Sequence, residues 1–336
     1  MKKVFKTTNI CRNLTNLIRT LLVICVAIVI VATARIYYIN NQEATNPQFT
    51  DGNLEIVMID VGNADCFLLL QKDKAMLVDT GYFTTYFDVK KVLEEKNVQK
   101  IDYAIITHSH RDHAGGIFGL LLDYQVSKLY LTEKMEDLDM SFTERLFYIP
   151  EISMIKYTNL FAENVVDVRL TEDNYDFQFS DSQIQFLGPI SSNYCRLNNY
   201  SLVFKMIYKE KSILFTGDME IPNEEELLNA NVDLSADILK IAHHGSKTST
   251  SEAFLEAVNP RYAILSSHNG KHNEYGHPVK RIVESLEKRG IILYRTDELG
   301  TVELELDGNS VNFVQNPGDY KSGTQFLKEE RGVNRM

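Results

Sequence analysis

The sequence predicts an α/β fold in four layers, two β-sheets face to face with helices outside, preceded by one N-terminal transmembrane helix. Three observations carry that expectation. Apolar, β-branched runs come in two sets, each opening with strands and then alternating with helical patterns. A polar, turn-rich stretch at 40–53 separates those sets from what precedes them. Near the N-terminus, fifteen uncharged and mostly aliphatic residues, 20–34, follow a basic flank.

Residues 1–19 hold five cations, Lys2, Lys3, Lys6, Arg12 and Arg19, and no anion, which marks a basic cytoplasmic segment. A spanning helix needs roughly 20 apolar residues. Snorkelling by Arg35 and interfacial placement of Tyr37 and Tyr38 extend the stretch to 20–39. The positive flank stays inside, so the chain beyond residue 40 is expected outside the cell, on a single-pass membrane anchor. Ala32-Thr33-Ala34 also suits a signal-peptidase site, which would release the domain instead. A buried soluble helix is the third reading, set against residues apolar on every face.

After the linker, strands are expected at 54–60, 66–71 and 75–78, a helix at 85–96 and a buried strand at 101–107. A helix near 116–124 and a strand at 126–131 follow. The stretch 133–175 is the least legible, with a helix expected around 141–149. The second set has strands near 177–187, 201–208 and 211–215, a helix at 223–230 and a strand at 236–242. A helix at 250–258, a strand at 261–266, a helix at 278–289 and strands at 291–296 and 301–306 complete one domain, 54–314. Residues 315–336 read as a polar, frayed tail.

Composition narrows the function. Hydrophobic residues make up 44% and charged residues 24%, which suits a sizeable core. No internal repeat appears, so solenoids and propellers are set aside. Of 35 Lys and Arg, the five at the N-terminus leave 30 against 46 Asp and Glu, a formal −16. So acidic a domain is a poor generic binder of nucleic acid, although a local basic groove stays open. Cys66 and Cys195, the two cysteines beyond the anchor, have neither paired nor metal-binding spacing.

The chemistry concentrates in Thr107-His108-Ser109-His110-Arg111-Asp112-His113-Ala114-Gly115-Gly116, a loop between a buried strand and a helix. Alternation at the strand end turns His108 and His110 to one side. The turn into the helix can present Asp112 and His113 nearby. Imidazole and carboxylate suit zinc, manganese or iron, and three histidines with one aspartate inside six residues make a strong metal signal. Asp218, after the strand ending at Phe215, could give one oxygen to each of two cations. His243 and His244 also follow a strand, and adjacent strand residues point apart, so one is expected as a ligand and one toward substrate.

These residues resemble the metallo-β-lactamase superfamily, whose signature is H-x-H-x-D-H after a strand. More narrowly, the chain looks like stand-alone relatives of the extracellular hydrolase domain of ComEC-type DNA-uptake channels. Asp60-Val61-Gly62-Asn63-Ala64-Asp65 is similar to the subgroup's D-V-G-Q-G-D, with Asn63 and Ala64 departing from it. Asp79-Thr80-Gly81, Thr216-Gly217-Asp218, His243-His244-Gly245-Ser246 and Tyr275-Gly276-His277-Pro278 match its D-T-G, T-G-D, H-H-G-S and Y-G-H-P elements. The resemblance runs from about 54 to 312 and implies an αβ/βα sandwich.

It implies two divalent metals, zinc first and manganese second, held by His108, His110, Asp112, His113, Asp218 and His244. The superfamily's usual histidine between the first cluster and the bridging Asp218 is missing; Asn198-Asn199-Tyr200-Ser201 stands there. The first metal would then hold only His108, His110 and Asp218, leaving positions open as catalytic sites do. Asp65, Asp79 and Asn199 are expected behind the ligands, orienting them. Asp112, His243 and His277 are the expected catalytic groups. His268 and His272 read as solvated.

The expected activity is phosphodiester hydrolysis by a metal-held hydroxide, with His243 or His277 stabilising charge or protonating the leaving oxygen. DNA is one candidate substrate, and the membrane, through 20–39, is the only expected partner. Two alternatives remain: a silent, metal-stabilised surface binding protein, and a hydrolase of a non-phosphate ester or lactone.

Overall fold

The structure, a computed structural model, describes residues 17–20, 22, 23, 26, 27, 30–132, 165–168, 175–268, 273 and 275–325. Its first half begins with the antiparallel strands β1 (Leu54–Met58), β2 (Phe67–Gln71) and β3 (Lys74–Val78). Helix α1 (Tyr86–Glu95) leads to β4 (Lys100–Ile105), and the short α2 (Arg111–Ala114) and α3 (Ile117–Asp123) lead to β5 (Gln125–Leu131). With β6 (Val165–Asp167), β3 to β5 make a parallel run.

The second half starts with the hairpin β7 (Phe177–Phe179) and β8 (Ser182–Gly188), then β9 (Val203–Tyr208) and β10 (Lys211–Phe215). Helices α4 (Ile221–Asn229), α5 (Glu252–Val258) and α6 (Lys280–Arg289) alternate with β11 (Ile238–Lys240), β12 (Tyr262–Leu265) and β13 (Ile292–Arg295). A short α7 (Thr296–Leu299) returns the chain to the first sheet as β14 (Val302–Leu306) and β15 (Val311–Phe313). The sheet orders are β15-β14-β1-β2-β3-β4-β5-β6 and β13-β12-β11-β10-β9-β8-β7.

Strand patterning explains the layers. In β2, Phe67 and Leu69 face the core between the sheets, while Leu68 and Leu70 face the helices behind. A strand buried on both faces reads as an unbroken apolar run, as Phe67-Leu68-Leu69-Leu70 does. Phe67, Phe204 and Phe215 meet between the sheets, Phe204 stacking on Phe215 at 4.8 Å. Each such fully buried ring contributes roughly 1.5–3 kcal/mol. Leu120 packs in the helical layer behind the first sheet, and Phe254 and Leu286 in that behind the second. The αβ/βα sandwich expected from the sequence is present.

Three expectations need comment. The strand predicted at 177–187 is two strands, because Ser180 takes φ +53° and reverses the chain. The polar run Ser180-Asp181-Ser182-Gln183, across which the apolar positions change from odd to even, is the turn's signal in the sequence. Residues 315–325 are not frayed: Tyr320 hydroxyl donates to Ile291 O at 2.7 Å, and Ser322 is buried. The helix expected at 141–149 lies outside the described residues.

Among the described residues no helix is long and apolar enough to cross a membrane. Residues 30–40 are helical, with Ile36 and Ile39 buried and Ile30, Val31, Tyr37 and Tyr38 exposed. Arg35 Nε donates to Leu122 O at 3.3 Å, tying this helix to α3. Cys66 and Cys195 are both free.

Candidate metal centre

The chemistry-bearing residues gather beyond the carboxyl ends of β3, β4, β10, β11 and β12, where α/β sheets ordinarily bind ligands. After β4, Thr107 N and Oγ1 donate to the two oxygens of Asp79 at 2.7 and 2.8 Å. Leu202 N donates to Thr107 O at 2.8 Å and so joins the two sheets at the site.

His108 Nε2 and His110 Nδ1 lie 3.0 Å apart. Two nitrogens bound to one tetrahedral zinc stand roughly 3.3 Å apart, so this pair suits a single ion. His113 Nδ1 meets Asp79 Oδ2 at 2.8 Å, which turns its Nε2 to within 3.2 Å of Asp218 Oδ1. His244 Nδ1 meets Ser266 O at 3.1 Å. Its Nε2 then lies 3.6 Å from Asp112 Oδ2 and 3.7 Å from Asp218 Oδ1.

His113 Nε2, His244 Nε2 and Asp218 Oδ1 are buried without a hydrogen-bond partner among the described residues. One ligand atom from each, with one from Asp112, lies within 4.8 Å of the others. Buried polar atoms are almost always paired, and three unpaired ones converging on a point fit a cation. Burial works against charge on His113, but Asp218, Asp79 and Asp112 outweigh it and hold its pKa well above the usual value. Burial likewise works against charge on Asp218, but His113, His244 and His243 hold its carboxyl well below the usual range. Protons and divalent cations therefore compete for the same atoms.

The His243–His244 pair does not leave an extended strand. β11 stops at Lys240, and both histidines sit in a tight turn with left-handed backbone, φ 51° and 52°. Strand alternation is thus the wrong reason for their separation. The strained turn sends His244 inward, 1% exposed, and leaves His243 on the cleft wall. His243 Nε2 is 3.8 Å from Asp218 Oδ2, and Asn198 Nδ2 lies 3.3 Å from its Nδ1. The His277 ring stands 5.8 Å from the His243 ring, edge-on.

Asp65 and Asn199 act at different removes. Asp65 accepts from Ser266 Oγ at 2.5 Å and lies 3.7 Å from the Nδ1 atoms of both His113 and His244. Asn199 Oδ1 accepts from Glu220 N at 2.9 Å, and Glu220 Oε1 lies 3.8 Å from His243 Nδ1. It reaches the site through Glu220 and His243, and among the described residues it bonds to Glu220 and Asn223.

Sequence reasoning missed Lys240. Its ammonium, 1% exposed, pairs with Asp65, donates to Gly217 O at 3.0 Å and lies 3.9 Å from Asp218 Oδ1. A lysine closing a wholly apolar strand was the available signal, since buried lysines need partners. Above these groups opens a cleft of about 940 Å³. His110, Asp112, Asp218, His243 and His277 line it, with Arg111, Tyr82, Asp60 and His268 on its walls. The Arg111 guanidinium sits over the Tyr82 ring at 5.9 Å. His272 lies outside the described residues.

Residues 59–268 match the metallo-beta-lactamase superfamily. ComE operon protein 3 of Bacillus subtilis (strain 168) is 30% identical over 267 residues, 74% of this chain and 32% of that protein. Competence protein ComA of Neisseria gonorrhoeae is 27% identical over 258 residues, 76% and 33% respectively. The chain spans about a third of the length of these curated relatives. The solved structure of the metallo-beta-lactamase fold protein YhfI from Bacillus subtilis aligns at 14% identity, covering 68% of this chain and 93% of that one, with a TM-score of 0.42. The relatives are ComEC-type competence proteins, as the motifs implied, and the chain belongs to the metallo-beta-lactamase superfamily.

Proposed function

We propose that the chain is a two-metal phosphodiesterase held at the outer face of a membrane. The observation that carries the reading is the convergence of unpartnered His113 Nε2, His244 Nε2 and Asp218 Oδ1 beside the His108–His110 pair. His108, His110 and Asp218 would hold one ion; Asp112, His113, Asp218 and His244 would hold the other. Such ions, zinc or manganese, supply a nucleophilic hydroxide at neutral pH and neutralise an anionic substrate.

The chain's own groups do the rest. Arg111, on the wall beside Asp112, gives a phosphodiester's charge a partner. Burial, reinforced by His244 and His243, lowers the His277 pKa to about 4. Burial also lowers that of His243, with Asp218 opposing. Both rings are therefore neutral near pH 7, and nearby metal cations would push them lower still. A neutral imidazole can donate a hydrogen bond to a developing oxyanion or leaving oxygen, which is the role we give them. DNA remains one candidate among phosphodiesters, and the competence relatives favour it over a wall or lipid phosphodiester.

The exposed Leu22, Val23, Val26, Ile30 and Val31, behind the basic flank, support an anchor in 20–39. Protease added to intact cells should remove the domain; protection until lysis would contradict export. Metal content measured alongside hydrolysis of bis-p-nitrophenyl phosphate tests the activity. About two ions per chain with metal-dependent turnover is expected. Bound metal without turnover would favour the silent binding protein, and turnover confined to carboxylic esters or lactones would replace the phosphodiester.

A further inference from the structure

The segment after β15 is fastened to the domain at successive points. Gly318 N donates to Leu293 O at 2.8 Å, and Asp319 N to Glu298 Oε2 at 2.8 Å. The guanidinium of Arg295, itself 0% exposed, donates to Lys321 O at 2.6 Å and Asp319 O at 3.3 Å, while Asp297 takes its other face. A buried guanidinium is stable only when its donors are used, so these carbonyls are held firmly.

This fastening ends on the loop that carries His277. Gly323 N donates to Pro278 O at 2.9 Å. A Cβ on Gly323 would lie 2.2 Å from His277 O, and one on Gly276, at φ +68°, would lie 2.7 Å from Thr324 Cγ2. Gly323 needs to be glycine for the two backbones to approach so closely, and Gly276 for its left-handed backbone. His277 N donates to Asn273 Oδ1 at 2.9 Å, and His277 O accepts from Ser267 Oγ at 3.0 Å. Its ring lines the cleft beside His243, and its Nδ1 is buried without a hydrogen-bond partner among the described residues.

We infer that residues 318–325 form a strap that positions His277 against the cleft, with Gly323 as the contact that transmits the position. The inference rests on the reading of His277 as a substrate-facing group. The strap is a positioning element: it touches neither substrate nor metal, and acts by fixing the backbone on both sides of one ring.

The test is a double-mutant cycle in the full chain, read by hydrolysis of bis-p-nitrophenyl phosphate, metal content and melting temperature. His277→Ala should slow turnover roughly 100-fold, the scale of one lost oxyanion donor. Gly323→Ala should slow it by a comparable factor, about 100-fold, since misplacement by ~1 Å costs that much. Both variants should keep their metals. In the His277→Ala background, Gly323→Ala should add nothing, because its effect passes through that ring. An equal loss in both backgrounds would mean general damage and overturn the strap. Full rate in Gly323→Ala beside a slow His277→Ala would overturn the strap alone, while full rate in His277→Ala would overturn the reading of His277 as well. Should Gly323→Ala not fold, Tyr320→Phe removes one strap hydrogen bond and carries the same cycle, with an expected loss of about fivefold.

Discussion

Behind His113 and His244, the ring nitrogens turned from the metal centre meet Asp79 Oδ2 at 2.8 Å and Ser266 O at 3.1 Å. Behind His108, among the described residues, stand hydroxyls, Ser201 Oγ at 3.4 Å and Thr107 Oγ1 at 3.3 Å. The second half is further braced by Asp65 and the buried Lys240, which links Asp65 to the Gly217–Asp218 turn. Charge-assisted and carbonyl contacts orient an imidazole and raise its basicity more than long hydroxyl contacts do. The position that Asp112, His113, Asp218 and His244 would form is therefore the better braced, and the one that His108, His110 and Asp218 would form is the looser.

The comparison breaks first at the residue the halves share. Asp218→Ala should deplete both positions of metal and abolish turnover, because on this reading one carboxylate would serve both ions; full metal content would remove it from the bridge. Next come the paired histidines. His244→Ala should lose the ion of the braced position, whereas His243→Ala should keep both ions and lose roughly 100- to 1,000-fold in rate, as for one hydrogen-bond donor. Metal loss in His243→Ala with retention in His244→Ala would exchange their roles.

The asymmetry itself is sharpened by the residues behind the ligands. Asp79→Asn should weaken metal binding at the braced position by roughly 10- to 100-fold, measured by competition with a chelating dye. Ser201→Ala should change the other position less. Equal effects would mean that the two halves are supported alike.

Much of this was legible in residue order, because ligands at strand ends announce themselves. His108, His110, Asp112 and His113 lie within one loop, and Asp218 and His244 each follow an apolar strand. The supports were harder to see, since they depend on contacts distant in sequence. Lys240 and Asp65 meet across 175 positions, from opposite sheets. Nothing local to Ala242-His243-His244-Gly245 shows that two consecutive non-glycine residues adopt left-handed backbone. The polar segment 315–325 reads as a tail because most of its fastening uses its own backbone, at Gly318 N, Asp319 N and O, Lys321 O and Gly323 N, which carries no sequence signature.

The smallest expected effect lies at the strap. Burial, only partly offset by Asp319 N and Arg295, raises the Glu298 pKa to about 7. Between its unfolded value, roughly 4.5, and 7, the folded chain keeps a proton that the unfolded chain has lost. Stability should therefore fall as pH rises through that window and level off above it. The Glu298 side chain is 16% exposed, and screening at that edge together with its pairing to Arg295 reduces the effect to about 1 kcal/mol. Glu298→Gln should flatten the dependence of melting temperature on pH from 5 to about 7.5; an unchanged slope would place the titrating group elsewhere.

The central claim is one centre with two unequal metal positions, and stepwise chelation tests it most directly. Metal content per chain and hydrolysis of bis-p-nitrophenyl phosphate would be followed together as chelator is raised. The account predicts about two ions at the start and two separated losses, the first abolishing turnover while the ion among Asp112, His113, Asp218 and His244 remains. His108→Ala, at low chelator, should reproduce that one-ion state. A single ion throughout, or simultaneous loss of both with His108→Ala retaining two, would contradict it.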